Sequence, residues 1–149
     1  MTQRHWMQHS ACMLITSVTL HRAPVFACET YARAAVEGMY FVQQRYPFFL
    51  YAFVVMPDHC HMLLSVPESG SISRIMHTYK RHVSFACAKG PLWQKRFHCR
   101  LIEDTATAVE YIHLNPVRAG LSEHPEDYRW SSASGKWDIT YVDGMGCHT

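Results

Sequence analysis

FFLYAFVVMPDHCHMLLSV, residues 48–66, reads as two apolar strands joined by a tight turn. Residues 48–56 form an unbroken apolar run rich in Phe and Val, the pattern of a fully buried strand. Pro57-Asp58 is turn chemistry: Pro presets its φ angle, and Asp folds back onto its own backbone. Residues 59–66 form the returning strand, so the stretch is a β-hairpin. In that second strand His59 and His61 are two residues apart and share one face, with Cys60 on the other. Two adjacent imidazoles mean either a shared ligand or core packing, and the hairpin alone leaves both open.

Working outward, the flanking segments alternate. Residues 12–20 are apolar with Thr and Val and read as a strand. Residues 29–45 (ETYARAAVEGMYFVQQR) are helix formers, stopped by Tyr46-Pro47. After a loop at 67–70, residues 71–89 carry a helical apolar stripe of Ile72, Ile75, Met76, Tyr79, Val83 and Ala86. Gly90-Pro91 ends that helix. Residues 93–102 (WQKRFHCRLI) read as a strand, and residues 104–114 as a helix capped by Asp104 or Thr105. The expected fold is α+β and ferredoxin-like: β-α-β-β-α-β with one antiparallel sheet and helices on one face, plus an extra C-terminal helix. The strand bearing His59 and His61 then lies in the middle of the sheet.

At 149 residues the chain is expected to be one domain, with a core over about 11–121 and a C-terminal extension at 122–149. Its 48% hydrophobic and 17% charged content is that of an ordinary globular protein. The six cysteines, at 12, 28, 60, 87, 99 and 147, form no C-x-x-C pair, which argues against a zinc ribbon and a redox dithiol, and a domain this large with a rich core argues against a secreted disulfide framework. The apolar run ACMLITSVTL at 11–20 carries Thr16, Ser17 and Thr19 and leads into His21, Arg22 and Pro24, so it reads as a strand rather than a signal peptide. No segment reaches the ~18 apolar residues of a membrane span. The expectation is a cytoplasmic protein without a membrane partner.

The net charge is only +2, but its distribution is uneven. From Ser69 to Ile102 there is no Asp or Glu, while the stretch holds seven of the 14 Lys and Arg. Tyr79, Phe85, Trp93 and Phe97 lie between those charges. Basic residues interleaved with aromatics suit a single-stranded nucleic acid, where charges meet phosphates and rings stack on bases. A solvated helix face followed by an ordinary strand has the same composition. Arg74, Lys80, Arg81, Lys95 and Arg96 are the candidate contacts, on a surface expected to run toward His59 and His61.

A second element, YIHLNPVRAGL at 111–121, bears on the histidines. Tyr111 and Asn115 are four apart and lie within about 40° of each other around a helix. Pro116 disfavours a helical Asn115, so one helix is expected to end near Leu114 and another to begin with Asn115 as its N-cap. Asn115 as a cap, and Tyr111 as an ordinary half-buried tyrosine, are complete structural readings by themselves.

Together, MPDHCHMLL (56–64) and YIHLNPVRAGL resemble the single-tyrosine HUH transposases, and more closely the REP-associated tyrosine transposases, relatives of the IS200-type enzymes. TLHRAPVF (19–26), LWQKRFHCRLI (92–102) and YRWSSA (128–133) fit the same family, so the resemblance spans nearly the whole chain. It implies a divalent metal, Mg²⁺ or Mn²⁺, bound by His59, His61 and Asn115, and Tyr111 as nucleophile. Cys60 stands where the motif has a bulky apolar residue, leaving a thiol that a soft metal could use. The implied reaction is cleavage and strand transfer of single-stranded DNA at palindromic hairpins through a covalent 5′-phosphotyrosine. Arg118, just past the tyrosine, is a further candidate phosphate contact. The rival readings are a nucleic-acid-binding regulator of the same fold without catalysis, and a zinc site on His59, His61 and a cysteine. The resemblance leaves open a homodimer, in which the tyrosine acts in its own or the other subunit, and nucleoid association when bound to DNA.

Overall fold

The computed structural model describes residues 11–140. In chain order it contains β1 (Cys12–Val18), α1 (Glu29–Arg45), β2 (Phe49–Met56), β3 (His59–Ser65), α2 (Ile72–Cys87), β4 (His98–Ile102) and α3 (Thr105–Arg118). The strands form one antiparallel sheet in the order β2-β3-β1-β4. This is the ferredoxin-like arrangement with one added helix, and the histidine strand β3 is internal, between β1 and β2. In the β1–β3 register Thr16 faces His61, and in the β1–β4 register it faces His98, so these three residues form one row across the sheet.

The two faces of the sheet are covered differently. Ile15, Phe53, Val55, Cys60, Met62 and Leu64 pack against α1 (Ala35, Val36, Met39) and α2 (Met76, Tyr79, Val83). On the opposite face Leu14, Val54 and Leu63 receive Ala108 and Ile112 of α3. A bulge in β2 between Leu50 and Ala52 shifts the pairing by one residue and sends those two side chains to opposite faces. The helices α1 and α2 approach closely at Gly38, where a Cβ would lie 2.9 Å from Val83 Cγ2.

Three local expectations are corrected. The strand expected at 93–102 is laddered only from His98 to Ile102. Ahead of it the chain is tied into neighbouring elements instead: Trp93 donates its indole N–H to Lys80 O at 3.2 Å, and Gln94 N donates to Val18 O at 2.8 Å. The second helix ends at Cys87, because Ala88 takes the left-handed conformation (φ 51°) two residues before Gly90. The third helix, capped by Asp104, does not break at Asn115 but runs through Pro116 to Arg118. Ala108, Ile112 and Pro116 are spaced by four and all buried, and that packed stripe outweighs the backbone bond Pro116 cannot donate.

Residues 128–140 of the C-terminal extension pack onto the outer edge of β2. Val55 N donates to Trp130 O at 2.8 Å, Tyr128 Oη to Val55 O at 2.7 Å, and Thr140 N to Leu50 O at 2.8 Å. Ser132 Oγ accepts from Phe53 N at 3.0 Å and lies 2.8 Å from His113 Nε2, coupling the sheet edge to α3. This covers a strand edge that would otherwise present unpaired amides. Ser132→Ala strands the buried Phe53 amide and should cost ~1–3 kcal/mol in urea unfolding; a loss below about 0.5 kcal/mol, the range of ordinary surface changes, would rule out this coupling.

Candidate active site

His59 and His61 project together from the α3 face of β3, with ring centres 4.9 Å apart. His61 is 6% exposed, and its Nδ1 lies 2.8 Å from Thr16 Oγ1 on the neighbouring strand. Burial, reinforced by the charges of His59 and Arg100, pushes the His61 pKa down to about 4, so the ring is neutral at neutral pH. His59 Nδ1 lies 2.7 Å from Asp58 Oδ1, and Arg22 Nη1 donates to Asp58 Oδ2 at 3.0 Å. Burial works against ionising Asp58, but the hydrogen bonds and charges of His59 and Arg22 outweigh it and hold the carboxyl below its ordinary value. Both imidazoles are tethered through Nδ1, which leaves Nε2 of each for a ligand.

Tyr111 reaches this pair from α3. Its ring centre is 5.7 Å from that of His61 in the same chain, and the residue is 42% exposed. The Arg118 guanidinium lies 5.5 Å from the centre of the Tyr111 ring. Asn115, half-buried, falls between them at the i+4 position. Because α3 is continuous across Pro116, Tyr111, Asn115 and Arg118 share one flank of the helix; a break at Asn115 would have separated them.

Two imidazoles on one sheet face, with an amide one helical turn on from Tyr111, are a donor set that fits a divalent ion taking nitrogen and oxygen ligands. The thiol expected near the histidines is elsewhere. Cys60 is fully buried on the opposite face, with Sγ 3.8 Å from Tyr79 Oη, and burial pushes its pKa up to about 12. Among the described residues no three His, Cys, Asp or Glu side chains gather into a cluster able to hold a metal. The zinc site on His59, His61 and a cysteine is therefore not formed by those residues.

The neutrality of His61 has a consequence for stability. Its folded pKa lies below its ordinary 6.5, so as pH falls the unfolded chain takes up a proton before the folded one does. Metal-free protein should lose ~3 kcal/mol between about pH 6.5 and 4 from this group. Urea unfolding across that range should show a smaller loss for His61→Asn; an identical pH dependence would mean His61 is not held neutral.

The residues that tether the histidines escaped the sequence reading. Thr16 is found only through the β1–β3 register. Asp58 was visible as a turn residue, but Arg22, 36 residues away, was not visible as its partner. Arg100 and His98 lie on the histidine face, since they are on the Thr16 side of β4. The other basic candidates lie elsewhere. Arg74, Arg81 and Lys95, with Arg45 and Lys89, line a groove of about 1270 Å³ formed by α1, α2 and residues 89–97. That groove is on the α1/α2 side of the sheet, whereas His59 and His61 project from the α3 side. Phe85, 87% exposed, and Phe41, stacked on His82 with centres 3.9 Å apart, also line it. Lys80 is spent internally: its ammonium donates to Gln94 O at 2.7 Å and lies 6.0 Å from the centre of the Trp93 ring. Arg96 is exposed and does not line the groove.

With this geometry in view, the chain belongs to the IS200-like transposase family, whose profile matches residues 8–115. It is 32% identical over 95 residues to the REP-associated tyrosine transposase of Escherichia coli, covering 61% of this chain and 58% of that one. It is 30% identical over 107 residues to a Haemophilus influenzae relative assigned to the same group, covering 60% and 61%. The chain thus matches about 60% of the length of these curated relatives. A solved REP-associated tyrosine transposase bound to a REP hairpin has the same fold, with a TM-score of 0.75 at 23% identity, over 100% of this chain and 94% of that one. No helix among the described residues is long and apolar enough to cross a membrane.

Proposed function

We propose that this protein is a transposase that cleaves and rejoins single-stranded DNA at hairpins, with Tyr111 as nucleophile. The observation that carries the reading is the approach of Tyr111 to the His59–His61 pair of its own chain. That approach also supports action of the tyrosine within one subunit.

His59, His61 and Asn115 would hold a divalent ion, Mg²⁺ or Mn²⁺, with water and phosphate oxygens completing its ligands. When bound, the ion supplies Lewis-acid stabilisation of the charge developing on a phosphodiester. The Tyr111 hydroxyl attacks phosphorus, the bond to the 3′-oxygen breaks, and the 5′-phosphate remains on the phenol oxygen. The ester bond is conserved, so a 3′-hydroxyl can later displace the tyrosine and rejoin strands. Tyrosine is weakly acidic, with an ordinary pKa near 10. Arg118 lies over the ring and sets a positive charge where the phenolate and phosphate meet. Arg100 extends that charge along the same sheet face.

The groove across the sheet would grip DNA away from the scissile bond. Arg74, Arg81, Lys89 and Lys95 meet phosphates there, and Phe85 offers a stacking platform. Lys80 lines the same groove with its ammonium on the 94–95 backbone. Arg81→Glu with Lys95→Glu should weaken binding of a single strand or hairpin and flatten its salt dependence by about two charges; unchanged affinity would make the groove an ordinary solvated face. The whole reading is tested by incubating protein with hairpin DNA and Mn²⁺ or Mg²⁺ and seeking a protein–DNA adduct that survives denaturing electrophoresis.

A further inference from the structure

Resting on the reading of His59 as an ion ligand, we propose that Asp58, braced by Arg22, is a positioning residue. Its carboxylate takes the Nδ1–H of His59 and fixes the tautomer and rotation that turn Nε2 toward the ion.

Asp58 would be an ordinary turn residue if its side chain served its own turn. Instead both carboxylate oxygens are used by other side chains: Oδ1 by His59 Nδ1 at 2.7 Å and Oδ2 by Arg22 Nη1 at 3.0 Å. Its backbone is held as well. Asp58 O accepts from Thr19 N at 3.0 Å and from Thr19 Oγ1 at 3.1 Å, and the adjacent Pro57 O accepts from Phe26 N at 2.9 Å. The loop after β1 therefore clasps the hairpin turn at three points.

That loop has an unusual backbone. His21 and Arg22 are consecutive non-glycine residues in the left-handed region, at φ 57° and 52°. The turn Leu20–Arg22 buries none of its residues, so apolar packing does not account for the conformation. Its visible product is the Arg22 guanidinium on Asp58. A carboxylate–imidazole pair of this kind fixes which nitrogen carries the proton and which faces a ligand. His61 has the lighter arrangement, a single neutral hydroxyl from a neighbouring strand. The two histidines are thus oriented from independent parts of the chain, and only His59 depends on the loop at 19–26.

The test uses ¹⁵N-histidine-labelled, metal-free full chain at mildly alkaline pH. Long-range ¹H–¹⁵N correlation reads the tautomer, and Mn²⁺ titration reads affinity without DNA. Wild type should carry the His59 proton on Nδ1. Asp58→Ala should lose that preference and bind Mn²⁺ about 10–100-fold more weakly. Asp58→Asn keeps an acceptor oxygen and should restore the tautomer and most of the affinity, which separates positioning from a general loss of folding. A wild-type His59 protonated on Nε2, or Asp58→Ala with unchanged Mn²⁺ affinity, overturns the proposal. A wild type that keeps the Nδ1–H tautomer but binds no Mn²⁺ upholds the orienting role and refutes the ion reading instead.

Discussion

Tyr111→Phe is expected to reduce the covalent protein–DNA adduct to background while leaving hairpin binding almost unchanged. The substitution removes only the hydroxyl, the group proposed to attack phosphorus, and keeps the ring that lies against His61 and under Arg118. The residue is 42% exposed, so stability should stay within about 0.5 kcal/mol of wild type. Binding by gel shift, adduct by denaturing electrophoresis and stability by urea unfolding separate the three effects. An adduct that persists in Tyr111→Phe would remove Tyr111 from the mechanism. Wild-type binding with no adduct under either metal would favour a non-catalytic DNA-binding protein.

The second large effect is expected from His59→Ala. His59 lies at the exposed end of β3, with its side chain 18% accessible, so truncation disturbs the core less than at the buried His61. Mn²⁺ binding should fall steeply and adduct formation should disappear with it, although Tyr111 is untouched. Calorimetric titration with Mn²⁺ alone checks the first claim, and the adduct assay checks the second. Loss of adduct with full Mn²⁺ affinity would mean that His59 acts on the DNA rather than through an ion.

Much of the architecture was legible because local signals agreed with the fold. The 29–45 helix matches α1, since its formers and the Tyr46-Pro47 stop point the same way. The 48–66 hairpin follows from its apolar runs and its turn, and the i, i+2 rule alone puts His59 and His61 on one face. What failed did so where tertiary packing overrode a local signal. Pro116 reads as a helix break, yet the buried stripe of Ala108, Ile112 and Pro116 carries α3 across it. Residues 93–97 look like a strand, but Trp93 and the Lys80 ammonium anchor them to α2. Composition revealed the basic stretch but not its location, because a charge run does not say which face of a sheet its helix covers. Thr16, Arg22 and Arg100 reach the histidines through register and loop geometry, which no single segment encodes.

Competing tyrosines make the identity of the nucleophile the sharpest question. Tyr79 is fully buried and donates its hydroxyl to Ala35 O at 2.8 Å. Tyr128 donates to Val55 O at 2.7 Å, and burial pushes its pKa up to about 12. Both hydroxyls are committed to the fold, whereas Tyr111 faces the histidine pair; Tyr141 lies outside the described residues. The direct measurement is peptide mapping of the adduct by mass spectrometry after nuclease trimming of the DNA. A 5′-nucleotide on the peptide containing Tyr111 is the predicted result. The same modification on Tyr79, Tyr128 or Tyr141, or on no tyrosine at all, would contradict the account.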